Sequence, residues 1–159
     1  MPSLRSIALV DSKVNNTAIQ TVYNALTHQA HHITGLSFKF CFLDTRSVYL
    51  LAKALAINRT LVKLDLSNNG LSPITGVYIV KNLKNNITLT DLNLSKNGLN
   101  DDFAEALAET LTHNEILWRV DISHNPIGEL GGQALLKAIR ESNDSLESLG
   151  DDFAAYNYF

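Results

Sequence analysis

Five stretches of the chain share one spacing of apolar residues, and it is the spacing of neither a helix nor a strand. Residues 61–71, LVKLDLSNNGL, carry Leu61, Leu64, Leu66 and Leu71, with Asn69 before the last. A lone amphipathic helix spaces its apolar residues by three and four, and a half-buried strand by a steady two. Residues 89–99, LTDLNLSKNGL, repeat the mixture 28 positions later with Leu89, Leu92, Leu94, Asn97 and Leu99. Another 28 positions on, LWRVDISHNPI carries Leu117, Val120, Ile122, Asn125 and Ile127. Upstream, ITGLSFKFCFL carries Ile33, Leu36, Phe38, Cys41 and Leu43, and LRSIALVDSKV carries Leu4, Ile7, Leu9, Ser12 and Val14, one step of 29 apart. A partial sixth unit opens near 146 with Leu146 and Leu149, and Asp151 then falls where an apolar residue is due. Self-similarity at such a period means units that cannot bury an apolar face alone and must stack to do so.

The second half of each unit repeats as well. Ile19/Val22/Tyr23/Leu26, Val48/Leu51/Ala52/Leu55, Gly76/Ile79/Val80/Leu83, Ala104/Leu107/Ala108/Leu111 and Gly132/Leu135/Leu136/Ile139 each run i, i+3, i+4, i+7, one face of a helix. Ser72-Pro73 reads as an N-cap followed by the first helical residue, and Asn100-Asp101-Asp102 as a cap with acids where the helix dipole favours them. Asn58, Asn85-Asn86, His113-Asn114 and Ser142-Asn143 mark the helix ends. Each unit is a short strand, then a helix.

This pattern resembles the leucine-rich repeat family, L-x-x-L-x-L-x-x-N/C-x-L. The long helical half and the 28/29 step are similar to its ribonuclease-inhibitor-like class. The resemblance covers roughly residues 4–150. It implies an α/β solenoid, with parallel strands on a concave face and helices on a convex one. It also implies that Asn69, Asn97, Asn125 and Cys41 point inward and bond the backbone of the turn; Ser12 departs from that pattern. Curvature follows from two lengths: strands stack about 4.8 Å apart, whereas helices with their side chains are about 10 Å across.

The expected organisation is a repeat domain over 1–150 and a tail over 151–159, DDFAAYNYF. The tail is expected to cap the domain as a lid over the last repeat's core, with a docking peptide as the alternative. The first repeat begins at Leu4 without room for a cap, so either the solenoid continues upstream or something else covers that end.

Outward strand positions are the candidate binding residues, since the core needs none of them. One column reads Ser6, Gly35, Lys63, Asp91, Arg119, and the next Ala8, Ser37, Asp65, Asn93, Asp121. Just beyond the strands lie Asp11, Phe40, Asn68, Lys96 and His124. Lys63, Asp65, Asp91, Asn93, Lys96, Trp118, Arg119, Asp121 and His124 are therefore the predicted protein-binding set. Arg119 suits a carboxylate, Asp65 and Asp121 suit basic partners, and Trp118 beside Arg119 has the composition of an interface anchor. The plainer reading makes them solvated strand residues, with Trp118 packed on the flank.

Composition excludes several classes. A net charge of −3 argues against binding nucleic acid through phosphates, and no apolar run approaches a membrane span. Cys41 is the lone cysteine, which points to a reducing compartment, the cytoplasm. His28, His31 and His32 cluster, but no cysteine or carboxylate near them in sequence supplies the further ligands zinc requires, so no metal site is expected. Cys41 falls in an inward slot, unlike a nucleophile. GELGG at 128–132 lacks the lysine of a phosphate loop. No catalytic residues and no cofactor are predicted.

The expected function is a non-enzymatic protein-interaction module that binds a protein partner through its concave face and inhibits or regulates it. It is expected as a monomer alone or within a heteromeric complex. The resemblance extends to repeats of signalling receptors, actin-end-capping proteins and effectors that intracellular bacteria inject into the host cytoplasm. A GTPase-activating regulator and a purely structural segment of a longer chain are the alternatives.

Overall fold

The structure, a computed structural model, describes residues 4–28 and 32–150. Strands and helices alternate: β1 (Ser6–Ala8), α1 (Asn16–Thr27), β2 (Gly35–Ser37), α2 (Thr45–Ile57), β3 (Lys63–Asp65), α3 (Pro73–Leu83), β4 (Asp91–Asn93), α4 (Asp101–Leu111), β5 (Arg119–Asp121), α5 (Glu129–Ser142) and β6 (Ser148–Leu149). The strands form one parallel sheet in chain order. Its register keeps equivalent residues abreast, Lys63 against Asp91 against Arg119 and Leu64 against Leu92 against Val120. This is the α/β leucine-rich-repeat solenoid that the period predicts. The sixth unit reaches the sheet, since β6 pairs with β5.

The core lies between the sheet and the helices. Leu64, Leu92 and Val120 face inward from the strand centres, and Leu66, Leu94 and Ile122 follow two residues on. The helical columns meet them: Val48, Leu51, Ala52 and Leu55 of α2 are all buried, as are Ile79, Val80 and Leu83 of α3. Columns at the two ends are less enclosed. Tyr23 of α1 and Leu136 and Ile139 of α5 are half-buried, and Leu4 is 68% exposed where its equivalents Ile33 and Leu61 are buried. A residue in a stacked unit is covered only by its neighbours, so an outermost unit shows part of its core to solvent.

Helix starts follow local chemistry. Asn15, Asp44, Ser72 and Asn100 each accept from a backbone N–H three residues on, satisfying a donor the first turn leaves open. Gly128 offers no such side chain; Asp101 of the preceding helix accepts from its N–H instead. Within α3, Gly76 permits a close approach: a methyl group there would run into the side chains of Leu99 and Phe103.

Two asparagine ladders clamp the units together. In the first, Asn69 donates to the carbonyls of Phe38, Leu66 and Ser67 and accepts from the N–H groups of Cys41 and Leu43. Asn97 and Asn125 repeat the arrangement one and two units later. Cys41 fills the same slot with a thiol that donates to Leu9 O at 3.1 Å. The second ladder runs through Asn58, Asn86, Asn114 and Asn143, all buried. Their amides donate to the carbonyls of Leu26, Leu55, Leu83 and Leu111, each in the previous unit. Their side-chain oxygens accept from the turn that leads into the next strand, at Leu61, Leu89, Leu117 and Leu146. Buried amides of this kind are stable only when fully partnered. Among the described residues no buried side-chain nitrogen or oxygen lacks a partner.

The tail over 151–159, with its lid and docking readings, lies outside the described residues, as does His31.

Candidate protein-binding face

Alternation along a strand sends every second side chain away from the core, and in-register pairing aligns those side chains into rows. Lys63, Asp91 and Arg119 open β3, β4 and β5, and Asp65, Asn93 and Asp121 close them. Together with Ser6, Gly35 and Ser37 they line a groove of about 340 Å³ on the sheet face. The first row alternates positive, negative, positive. The second holds two carboxylates around an amide. At the β1 and β2 end the floor is small and uncharged.

Part of this polarity is engaged within the molecule. Arg119 Nη1 lies 3.6 Å from Asp91 Oδ1, so the residue expected to seek a partner's carboxylate already faces one on the next strand. The pair is open to water, and such a contact is worth about 0.2–1 kcal/mol; a partner carboxylate can replace Asp91 at little cost. Asp91 Oδ2 accepts from the hydroxyl of Thr90 at 2.6 Å. Asp65, Asn93 and Asp121 each accept from the N–H two residues on, of Ser67, Ser95 and Ser123, at 2.9, 3.0 and 2.9 Å. These bonds close the chain into a turn as it leaves the sheet. Three predicted binding residues thus also shape the strand ends, a role that sequence spacing did not reveal.

The remaining predicted residues fall at the margins. Lys96 and His124 sit just past their strands at φ 55°, in the left-handed region, as do Asp11, Phe40 and Asn68 in the same slot. One residue in each unit reverses the chain there, and both predicted side chains are exposed on the rim. Trp118 precedes β5 and is 49% exposed; it is absent from the groove's lining. Its backbone carbonyl accepts from the N–H groups of Glu147 and Ser148, which attaches the sixth unit. The predicted set therefore divides into six residues on the groove floor, two on the rim and one on the flank.

The groups considered for chemistry are held by local bonds. Cys41 is buried, and that burial pushes its thiol above the usual range. His28 packs its ring nitrogen on Asn24 O at 2.6 Å, and His113 on Thr112 Oγ1 at 2.8 Å, both at helix ends. Among the described residues no three of histidine, cysteine, aspartate and glutamate gather where they could hold a metal ion. No helix among them is long and apolar enough to cross a membrane.

A family model described as "Leucine Rich repeat" matches residues 58–74, 85–108 and 113–136. No curated protein matches the chain in sequence. Among solved structures, the leiomodin-1 actin-binding site 2 is similar at TM-score 0.67 and 21% identity, covering 86% of this chain and 79% of that one. The C-terminal domain of tropomodulin from Caenorhabditis elegans is similar at TM-score 0.73 and 16% identity, covering 87% and 84%.

Proposed function

We infer that this chain, being a leucine-rich repeat protein of the ribonuclease-inhibitor-like class, is a non-enzymatic module that binds a protein partner through its concave face. The partner is regulated by being held there. One observation carries this reading: the sheet register aligns outward residues of five successive strands into a groove whose charged floor the core does not require. A rigid scaffold that presents polar side chains in fixed rows loses little conformational freedom on binding. Lys63, Asp65, Asp91, Asn93, Arg119 and Asp121 form the contact floor, with Lys96, His124 and Trp118 at its edges. The buried thiol of Cys41 suits a reducing compartment, the cytoplasm.

Actin is the first partner to test, because the leiomodin-1 actin-binding site 2 shares this fold. The experiment is affinity capture from lysate beside co-sedimentation with purified actin, comparing wild type with Arg119→Glu/Asp121→Lys. Lys137→Glu, exposed on α5, serves as the control. The groove variant should lose its partner while the control keeps it. Captured proteins unchanged by the groove variant would overturn the assignment of the face, and loss in both variants would overturn its specificity.

A further inference from the structure

The turn that follows β2 is built from residues the backbone does not favour. Its slots are occupied by Phe40 at φ 57° and Phe42 at φ 50°, and the equivalent slots of the next unit hold Asn68 at φ 55° and Gly70 at φ 65°. Left-handed backbone is sterically costly for a residue with a Cβ. Asparagine and glycine are the residues that adopt it readily, and phenylalanine has no short polar group to compensate. Burial of the rings does not offset this, since Phe40 is 41% and Phe42 70% exposed. At Gly70 an added Cβ would meet nothing within 4 Å, so nothing packs over the slot in that unit. Val10, 53% exposed, adjoins them: the N–H of Asp11 bonds to Lys39 O. Strain and exposed aromatic area together mark a contact site rather than a packing solution.

The surroundings indicate the occupant. Residues 1–60 hold six lysines and arginines against two aspartates, whereas residues 61–159 hold seven against fourteen acids. Lys39 is adjacent to Phe40, Lys13 occupies the slot beside Phe42 in the first unit, and both are exposed. Neither belongs to either salt bridge found among the described residues. Of the two aspartates, Asp44 caps α2 through the Ser47 N–H, which leaves Asp11 as the one acid within the patch.

We propose that Val10, Phe40 and Phe42, rimmed by Lys13 and Lys39, form a second docking site for an acidic peptide segment that carries an aromatic or aliphatic anchor. The rings supply the apolar seat and the lysines choose the charge of what flanks it. The site lies outside the groove lining and stands whether or not the groove binds.

The probe is a random dodecapeptide library displayed on phage and selected against the whole chain. Enriched peptides should place Asp or Glu beside Phe, Trp or Leu, and raised salt should weaken them. Phe42→Gly should reduce their affinity by about tenfold or more, the scale of an interface hot spot. The same substitution should raise the melting temperature by roughly 2–4 °C, because the strain is relieved without loss of packing. Asp65→Lys/Asp121→Lys in the groove should leave the peptides bound. Selection without acidic bias, no enrichment, or equal affinity for Phe42→Gly would overturn the proposal. A lowered melting temperature for Phe42→Gly would overturn its premise, by showing that the ring serves the fold.

Discussion

Replacing Asn114 with alanine should remove roughly 3–5 kcal/mol of stability, more than its size suggests. The side chain is 2% exposed. Its amide donates to Leu83 O at 2.7 Å and Asn86 O at 3.2 Å, and its oxygen accepts from the N–H groups of Ile116 at 2.8 Å and Leu117 at 2.9 Å. Alanine replaces none of these, and four backbone groups lose a partner. A buried group left unpaired costs about 1–3 kcal/mol. The Leu117 N–H and the Asn86 carbonyl belong to buried residues and take the full penalty, whereas Leu83 O keeps the Asn86 N–H at 3.0 Å and Ile116 is half-buried, so these two take less. Urea melts compared at unchanged m-value measure the loss. Asn85→Ala, exposed one residue before Asn86, is the control and should stay within about 0.5 kcal/mol of wild type. Hydrogen exchange adds a local readout, since the Leu117 amide should lose protection in Asn114→Ala. A loss below about 1 kcal/mol with Leu117 still protected would refute the reasoning, by showing that the turn holds its shape without the amide.

Gly76→Ala should destabilise by about 1–3 kcal/mol, because its methyl group collides with Leu99 and Phe103 across the α3–α4 interface; thermal melts check this, and the usual gain of alanine in a helix should not appear. The carboxyl of Asp44 is held below its ordinary value of 3.8, first by the hydroxyl of Ser47 and then by its N–H. A group whose folded pKa is depressed contributes stability that is present above the unfolded value and lost as pH falls through the folded one. Acid titration of stability should therefore show a component below about pH 3.8 that Asp44→Asn, which keeps the cap, flattens.

Much of the fold was legible because the period repeats every contact. Once Leu64, Leu66 and the helical column of one unit are aligned with the next, the core, the strand order and the register follow together. Caps were legible for the same reason, as Ser72 and Asn100 act on their own next turn. The second asparagine ladder was not. Asn58, Asn86, Asn114 and Asn143 stand 28, 28 and 29 residues apart, which was the available signal. Read singly, each is a plausible helix end, and the carbonyl it bonds lies some 30 residues upstream. The groove rows were readable from alternation. The Asp91–Arg119 pair and the turn bonds of Asp65 and Asp121 were not, because they depend on rotamers and on the separation of neighbouring strands. The place of Trp118 was not readable either, because it stands before β5, where alternation no longer dictates direction.

Every substantial contact between helices joins one helix to the next, and every strand pairs only with its chain neighbours. Evolution can therefore lengthen or shorten such a molecule in whole steps of 28. Deleting residues 61–88 would bring Leu89 to the place of Leu61 and Asn97 to that of Asn69, with the same kinds of partner awaiting them. Half a step would set strand against helix and leave both ladders without rungs. Reach, and hence the size of what can be embraced, is a quantised property of this architecture.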